Sequence, residues 1–208
     1  ARFDREARLT SSLNHPHIAT LYGLEESDSG PALVMELVEG ETLAARLRRC
    51  PPSVPEALEL ARQIAEALES AHEKGILHRD LTPANVRLTE KGSVKLLDFG
   101  LARALDDPAS SRQPSYPSNL PTDAAPTSPP TGIAGTPPYM SPEQARGEEV
   151  DRRTDVWAFG CVLFEMLSGA KAFDGPTVTD VLAAIVTGEP DWEKLPAACP
   201  VPVRRLLR

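Results

Sequence analysis

Two stretches of the sequence decide its fold: His78-Arg79-Asp80-Leu81-Thr82-Pro83-Ala84-Asn85 and, further along, Asp98-Phe99-Gly100. In the first, the carboxylate of Asp80 is followed five residues later by the carboxamide of Asn85. A second carboxylate, Asp98, comes eighteen residues after the first and stands close to a glycine. The spacing puts three oxygen-bearing side chains in a short part of the chain, at the ends of elements rather than inside them.

The residues between the amide and the second carboxylate have the pattern of a β-hairpin. Strand-like runs at 86–89 and 94–97 are joined by the turn-prone Glu90-Lys91-Gly92-Ser93. A hairpin would bring the three polar side chains close together. Hard oxygen ligands on turns suit Mg²⁺, which keeps several waters and takes one or two protein carboxylates plus phosphates. An acid that does not bind the metal is then available to accept a proton from an attacking hydroxyl.

The composition bounds the class of protein. The chain has 208 residues, 41% of them hydrophobic and 25% charged, which fits one globular domain. The formal net charge of -8 argues against a general nucleic-acid binder, which needs a basic face. No apolar run approaches the roughly 20 residues that span a bilayer. The three cysteines (Cys50, Cys161 and Cys199) lack metal-ligand spacing and indicate reduced thiols in a cytosolic setting.

Apolar spacing and capping signals predict the remaining elements. Strands are predicted at 18–24 and 32–38. Two helices have predicted caps: one runs from Thr42 to about 49, and one runs from the capping box of Ser53 and Glu56 to 74. Apolar spacing predicts four more helices, at 2–13, 154–167, 177–186 and from 203 onwards. This order of elements indicates an α+β fold whose second half is mostly helical.

One third of the 21 prolines of the chain lie in one short stretch. Between positions 106 and 132, seven prolines and eight serines or threonines occur in 27 residues. Such a stretch buries too little apolar surface to offset the cost of chain ordering, so it predicts a long mobile loop. Composition alone leaves open a linker between two domains.

Further motifs complete a resemblance to the protein kinase family. Gly135-Thr136-Pro137-Pro138-Tyr139-Met140-Ser141-Pro142-Glu143 and Asp155-Val156-Trp157-Ala158-Phe159-Gly160 follow the first two stretches in the family's order. The details, notably Leu13-Asn14-His15-Pro16, look most like bacterial serine/threonine kinases of the eukaryotic type. The resemblance covers essentially the whole chain. It implies a protein-kinase-like fold, with the remnant of a small β lobe at 1–38, a helical lobe at 39–208 and an activation segment at 98–143 that contains the proline-rich stretch.

The resemblance implies a role for each residue of the reaction centre. Asp80 would orient and deprotonate the substrate hydroxyl. Asn85 and Asp98 would hold the Mg²⁺ ions that bridge the ATP phosphates. Thr136 would line the acceptor site.

The resemblance also implies a nucleotide pocket. The backbone of residues 36–38, including Glu36 and Val38, would hydrogen-bond the adenine as a hinge, and Met35 would guard the pocket behind it. Arg87 stands where the family commonly has an apolar residue under the adenine, and its long stem can still cover a ring. Glu6 matches the glutamate that pairs with the phosphate-binding lysine.

Three other residues are implied to hold the fold, and one of them, Glu143, matches a member of an ion pair. His78 matches a packed core histidine that touches Phe99 and has no catalytic role. Asp155 matches an acid at the start of a helix that anchors the loop around Asp80.

The activity implied is transfer of the γ-phosphoryl group of ATP to protein serine or threonine hydroxyls in the cytoplasm. A membrane would be reached only through a tether outside this chain. Arg79 matches kinases that are switched by phosphorylation of the activation segment, because its guanidinium can pair with a phosphate. Candidate acceptors of self-phosphorylation in trans are Thr122, Thr127, Ser128 and Thr131, of which the last three are favoured because they lie close before Gly135.

The sequence departs from the family pattern in ways that keep a second interpretation open. Thr82 stands where serine/threonine kinases have a lysine that contacts the transferring phosphate. No glycine-rich loop occurs, and none of the five lysines precedes the hinge. We therefore expect a fragment cut at both ends that is inactive alone. The alternative to an enzyme is a pseudokinase or scaffold that acts by binding proteins, and phosphorylation of a small molecule is a third, weaker option.

Overall fold

The computed structural model describes residues 13–27, 30–99 and 136–208. The predicted helix at 2–13 and the predicted mobile loop at 106–132 therefore lie outside the described residues, apart from Leu13. In chain order the described elements are β1 (Leu21–Ser27), β2 (Gly30–Met35), β3 (Glu41–Thr42), α1 (Leu43–Arg49), α2 (Val54–Glu73), β4 (Val86–Leu88), β5 (Val94–Leu96), α3 (Pro142–Arg146), α4 (Arg152–Ser168), α5 (Val178–Thr187) and α6 (Val201–Leu206). The architecture is α+β, as the sequence predicted.

The described strands form two small antiparallel sheets. β1 pairs with β2, while β3, β4 and β5 form a second sheet in that order. The predicted hairpin is confirmed, because β4 and β5 pair with Arg87 opposite Lys95. The segment before β1 adds to the second sheet through a parallel bridge between Ile18 and Leu96.

The long helix α2 begins and ends where the sequence signals predicted. The Ser53 hydroxyl accepts a hydrogen bond from the Glu56 amide and the Glu56 carboxylate accepts one from the Ser53 amide, which is the predicted capping box. Gln63, buried on the inner face of the helix, accepts a hydrogen bond of 2.8 Å from the Val94 amide. This bond fixes α2 against strand β5 and hence against the hairpin.

Helix α4 forms the centre of the second half. It packs against α2 and buries a broad apolar surface that includes Val162, Phe164 and Met166. Gly169 ends it in a left-handed conformation with φ 71°, which only glycine adopts without strain. One continuous core joins α2, α4 and the hairpin, so the loop that precedes the hairpin has a rigid base.

The other helices agree with the predictions to within a few residues. Thr42 accepts a hydrogen bond of 3.1 Å from the Ala45 amide and begins α1, and Thr177 caps α5. Helix α3 was not predicted, and α6 begins two residues before the predicted start at 203. Among the described residues, no helix has the length and apolar character required to cross a membrane.

Candidate functional site

The loop at residues 78–85, which we call the Asp80 loop, leads directly into the hairpin. Pro83–Asn85 forms a single 3₁₀ turn, in which the fixed φ of Pro83 suits the first position. At the far end of the hairpin, the amide of Leu97 donates a hydrogen bond of 2.9 Å to the carbonyl of Asn85. The residue after Leu97 is Asp98, so the hairpin returns the second carboxylate to the level of Asn85.

Asp80 and Asn85 are in direct contact. The Nδ2 atom of Asn85 donates to the backbone carbonyl of Asp80 at 2.9 Å and to its Oδ2 atom at 3.2 Å. The other carboxylate oxygen, Oδ1, accepts a hydrogen bond of 3.3 Å from the amide of Thr136. The structure thus brings together Asp80, Asn85 and Thr136, three residues singled out in the sequence.

Asp98 presents its side chain to solvent from an unusual backbone conformation. Its φ is 58°, in the left-handed region that Asp tolerates better than most residues. The next residue, Phe99, is 2% exposed and packs against the ring of His78 at a centroid distance of 4.6 Å. Burial of Phe99 therefore anchors the turn while the carboxylate of Asp98 stays exposed.

The predicted packing of His78 is confirmed. Its ring is 1% exposed, and neither nitrogen has a hydrogen-bond partner among the described residues. Burial lowers the pKa of His78, because a charged imidazolium would lose its solvation there. The burial of the ring and its contact with Phe99 are those of a core side chain that supports the fold.

Asp155, completely buried near the start of α4, anchors the Asp80 loop as predicted. Its carboxylate accepts hydrogen bonds from the amides of His78 at 2.8 Å and Arg79 at 2.7 Å. The Nε2 atom of His72 lies 2.7 Å from the same carboxylate. Arg79 has φ 67°, and a left-handed conformation at such a residue costs about 1–2 kcal/mol. The bonds to Asp155 hold this strained backbone immediately before Asp80.

The segment that follows Thr136 is fixed to α4 by a partly buried polar pair. The hydroxyl of Tyr139 donates a hydrogen bond of 2.6 Å to the carboxylate of Glu165. Burial raises the pKa of Tyr139, and it raises that of Glu165 despite the opposing effect of this hydrogen bond. The pair holds the 3₁₀ turn Pro137–Tyr139, which starts directly after Thr136, against the helix.

The hinge segment, residues 36–38, follows Met35 at the end of β2. Glu36 exchanges hydrogen bonds with Thr20: its amide donates to the Thr20 carbonyl at 2.8 Å, and its Oε2 atom accepts from the Thr20 amide at 3.0 Å. Lys95 forms an ion pair with the same oxygen at 2.9 Å. Burial acts to raise the pKa of Glu36, but the Thr20 and Lys95 hydrogen bonds outweigh it and hold the pKa below its usual value. Glu36 is therefore a charged anchor of the segment.

Arg87 contacts the hinge segment directly. Its Nε and a terminal nitrogen donate to the carbonyl of Val38 at 3.2 and 2.8 Å. Cross-strand pairing sets Arg87 beside Lys95, so two cations on neighbouring strands hold the segment at its two ends. The unusual arginine at this position thus has a specific partner in the hinge segment.

Some residues singled out in the sequence are not among those that the structure brings together at Asp80. Thr82 is 2% exposed and lies just before the 3₁₀ turn of the Asp80 loop. Glu6 and the candidate phosphorylation positions Thr127, Ser128 and Thr131 lie outside the described residues. Two contact residues were missed by sequence reasoning. Lys95 was missed because its role depends on strand register. Gln144 was also missed, and its side-chain amide donates a hydrogen bond of 2.7 Å to the Arg79 carbonyl. The spacing of Ser141 and Gln144 is that of a capping box and could have indicated part of the role of Gln144.

An acid and an amide are followed by a hairpin that returns a second acid to the level of the amide, beside a mostly helical half, and this arrangement is typical of protein kinases. The sequence matches the protein kinase domain over residues 1–200, and the chain belongs to that family.

Its curated relatives include bacterial proteins named as serine/threonine kinases. The serine/threonine-protein kinase PknB of Mycobacterium leprae is 39% identical over 194 residues, which is 91% of this chain and 29% of that protein. The probable serine/threonine-protein kinase SCO3848 of Streptomyces coelicolor is 42% identical over 195 residues, which is 91% of this chain and 27% of that protein. The chain thus spans less than a third of the length of these relatives.

Proposed function

We propose that the intact protein is a serine/threonine protein kinase, which transfers the γ-phosphoryl group of ATP to hydroxyl groups of proteins. The observation that carries the proposal is the convergence at the Asp80 loop. Asn85 bonds to one carboxylate oxygen of Asp80, the amide of Thr136 bonds to the other, and the hairpin returns Asp98 to the level of Asn85. The names of the bacterial relatives, PknB among them, support the same activity.

Asp80 is proposed as the residue that orients the acceptor hydroxyl and takes its proton. Phosphoryl transfer of this kind depends on positioning and on charge stabilisation more than on covalent chemistry. The bonds from Asn85 and Thr136 restrict both carboxylate oxygens, so Asp80 needs little reorganisation when a hydroxyl arrives. Thr136, at the end of the activation segment, is proposed to line the acceptor site.

Asn85 and Asp98 are proposed to hold a divalent metal, Mg²⁺ being the best fit to their oxygen donors. Among the described residues there is no group of three or more His, Cys, Asp or Glu side chains that would hold a metal by itself. That fits a magnesium site whose remaining ligands are waters and nucleotide phosphates. When bound, the metal would neutralise charge on those phosphates, and Asp98 is exposed enough to reach it.

The hinge segment is proposed to receive the adenine, with Met35 behind it and Arg87 beneath. Anchoring of Glu36 by Thr20 and Lys95 supports this, because it fixes the first residue of the segment while the exposed Leu37 leaves the middle free to adjust to a flat base. The proposed division into a small lobe at 1–38 and a helical lobe at 39–208 puts the segment at the junction. Glu6 is proposed as the partner of a phosphate-binding lysine.

The proposed partners are ATP and proteins with serine or threonine acceptors. The activation segment at 98–143 is proposed to carry the sites of self-phosphorylation, at Thr127, Ser128 or Thr131. Action in the cytoplasm, with membrane contact only through a tether outside this chain, is proposed as the setting.

A second candidate function, protein binding without catalysis, is favoured by one observation. Thr82 is 2% exposed and provides no positive charge where kinases have a phosphate-contacting lysine. A missing charge at the transferring group weakens stabilisation of the transition state. A pseudokinase of this kind would bind ATP or partner proteins and transfer nothing.

A phosphotransfer assay on the intact protein tests the proposal. We expect Mg²⁺-dependent transfer from ATP to a serine- or threonine-containing substrate, and a loss of about 100-fold or more in Asp98→Asn, because the metal loses a charged ligand. Asp191→Asn is the matched control, since Asp191 is exposed, caps a 3₁₀ turn at Trp192–Lys194 and is replaced by an equally good cap. Transfer unaffected by Asp98→Asn would refute the metal site, and ATP binding without transfer in wild type would favour the second candidate.

A further inference from the structure

Arg79, the residue immediately before Asp80, has a strained backbone conformation. Its φ of 67° departs from the backbone of ordinary residues, and the conformation persists only if neighbouring groups hold it. Two such groups act on Arg79. The carboxylate of Asp155 accepts a hydrogen bond from its amide at 2.7 Å, and the side-chain amide of Gln144 donates one to its carbonyl, also at 2.7 Å.

The carbonyl of Arg79 belongs to the peptide unit that joins Arg79 to Asp80. A hydrogen bond to it therefore fixes the plane from which the Asp80 side chain departs. Asp155 acts one peptide unit earlier, on the amide side of Arg79. Gln144 is thus the contact from α3 that acts directly on the peptide bond preceding the proposed base.

Gln144 makes a second hydrogen bond that fixes its orientation. The side-chain Oε1 atom of Gln144 accepts a hydrogen bond from the backbone amide of Ser141 at 3.0 Å. The backbone amide of Gln144 donates one to the Ser141 hydroxyl at 3.3 Å, and the two bonds form the capping box of α3. One partner of its carboxamide is a donor and the other, the Arg79 carbonyl, is an acceptor. Only a carboxamide in a single orientation satisfies both, whereas glutamate offers acceptors alone.

The position of Gln144 in the chain gives this contact a further consequence. Helix α3 follows closely on the turn Pro137–Tyr139 and on Thr136, whose amide bonds to the Asp80 carboxylate. The end of the proposed activation segment and helix α3, which follows it, therefore reach Asp80 from two sides. Thr136 contacts the carboxylate, and Gln144 contacts the backbone just before it.

We propose that Gln144 is a positioning residue, which holds the Arg79–Asp80 peptide so that Asp80 meets the acceptor hydroxyl. This inference rests on the proposed kinase function. In this proposal one glutamine both caps the start of α3 and aligns the Asp80 loop. A displacement of α3 would therefore misalign the proposed base.

Gln144→Glu in the intact protein separates the two roles. The glutamate keeps an acceptor for the Ser141 amide, so the capping box and the melting temperature are retained. It loses the donor to Arg79 and sets a carboxylate oxygen against a carbonyl. We expect kcat to fall about 10-fold or more, with the KM for ATP changed less than about 2-fold, because the loss concerns alignment and not nucleotide binding.

Two further variants complete the design. Gln144→Met removes both hydrogen bonds without adding charge, and we expect it to lower kcat as Gln144→Glu does while also lowering the melting temperature. Asp180→Ala is the matched control, because Asp180 occupies the equivalent capping-box position in α5 and does not contact the Asp80 loop. It should lower the melting temperature and leave kcat unchanged.

Backbone hydrogen exchange of residues 79–81 gives a readout that does not depend on activity. Gln144→Glu should accelerate exchange there, and exchange in α5 should stay as in wild type. A folded Gln144→Glu protein with wild-type kcat and wild-type exchange at 79–81 would overturn the inference. If wild type shows no phosphotransfer, the proposed function fails, and the exchange measurement still decides for or against the positioning role.

Discussion

The Asp80 loop and the hinge segment are both short irregular pieces of chain, but they are held in different ways. Side chains outside the Asp80 loop hold it through hydrogen bonds with its backbone. The main one is Asp155, which is 0% exposed and accepts bonds from two backbone amides of the loop. Partly exposed cations hold the hinge segment, and Leu37 at its centre is 86% exposed. The two halves of the proposed active site therefore differ in rigidity.

The difference follows from the cost of losing a partner in each environment. Removal of the Asp155 carboxylate would leave buried amides without an acceptor, which costs far more than the net value of a hydrogen bond. In the hinge segment, the Lys95–Glu36 pair is partly exposed, with side-chain exposures of 19% and 27%, so water can replace part of what it provides. The Asp80 loop is thus fixed before substrate arrives, and the hinge segment can adjust to a bound base.

The register of the second sheet adds a feature specific to the hinge segment. Arg87 and Lys95 are directly opposite each other on β4 and β5, and like charges in such a pair repel. Each has an acceptor on the segment, Val38 for Arg87 and Glu36 for Lys95. The two acceptors offset the repulsion between Arg87 and Lys95, and the same contacts hold the hinge segment against β4 and β5.

The largest effect is expected when the buried anchor of the Asp80 loop is removed. Asp155→Ala leaves the amides of His78 and Arg79 buried without an acceptor and takes a partner from His72. We expect a loss of about 3–5 kcal/mol in the free energy of unfolding, measured by urea titration of the intact protein.

A matched control for this loss lies on the same helix. Asp151→Ala removes the exposed N-cap of α4, which accepts a hydrogen bond from the Arg153 amide, and should cost only about 1 kcal/mol. If both variants lost the same small amount, the Asp80 loop would not depend on a buried anchor, and the contrast with the hinge segment would disappear.

Much of the Asp80 loop could be predicted from the sequence because its geometry is local. Asp80, Asn85 and Asp98 are connected by one turn and one hairpin, and the hairpin pattern is readable in the alternation of residues 86–97. The same holds for the helix starts at Thr42 and Ser53, where the capping residue is adjacent to the helix it begins.

The contacts that the sequence did not reveal join distant parts of the chain. Lys95 meets Glu36 across 59 positions, and Gln144 meets Arg79 across 65. Such pairs depend on strand register and on the packing of α3 against the loop, which no local pattern encodes. The role of Arg87 was likewise hidden, because its partner is a backbone carbonyl, which every residue type carries.

A smaller effect is expected at the hinge segment. Arg87→Met removes two hydrogen bonds to the Val38 carbonyl but leaves Glu36 held by Thr20 and Lys95. We expect the KM for ATP to rise about 2- to 5-fold with kcat nearly unchanged, because the segment loses one of two anchors. Steady-state phosphotransfer kinetics of the intact protein measure both constants.

Arg87→Lys is the companion variant for the hinge segment. A lysine keeps the charge but loses the planar fork that reaches one carbonyl with two donors, so its KM should lie between wild type and Arg87→Met. A KM for ATP below the wild-type value in Arg87→Met would mean that Arg87 obstructs the base and does not support its binding site.

Residue-resolved hydrogen exchange of the wild-type intact protein tests the central claim, a rigid Asp80 loop beside an adjustable hinge segment. The amides of His78 and Arg79 donate to buried Asp155, whereas the amides of Leu37 and Val38 donate no hydrogen bond within the part of the chain that the structure describes. After correction for intrinsic rates, we predict exchange about 100-fold or more slower at His78 and Arg79 than at Leu37 and Val38. Similar rates at the four amides would contradict the claim.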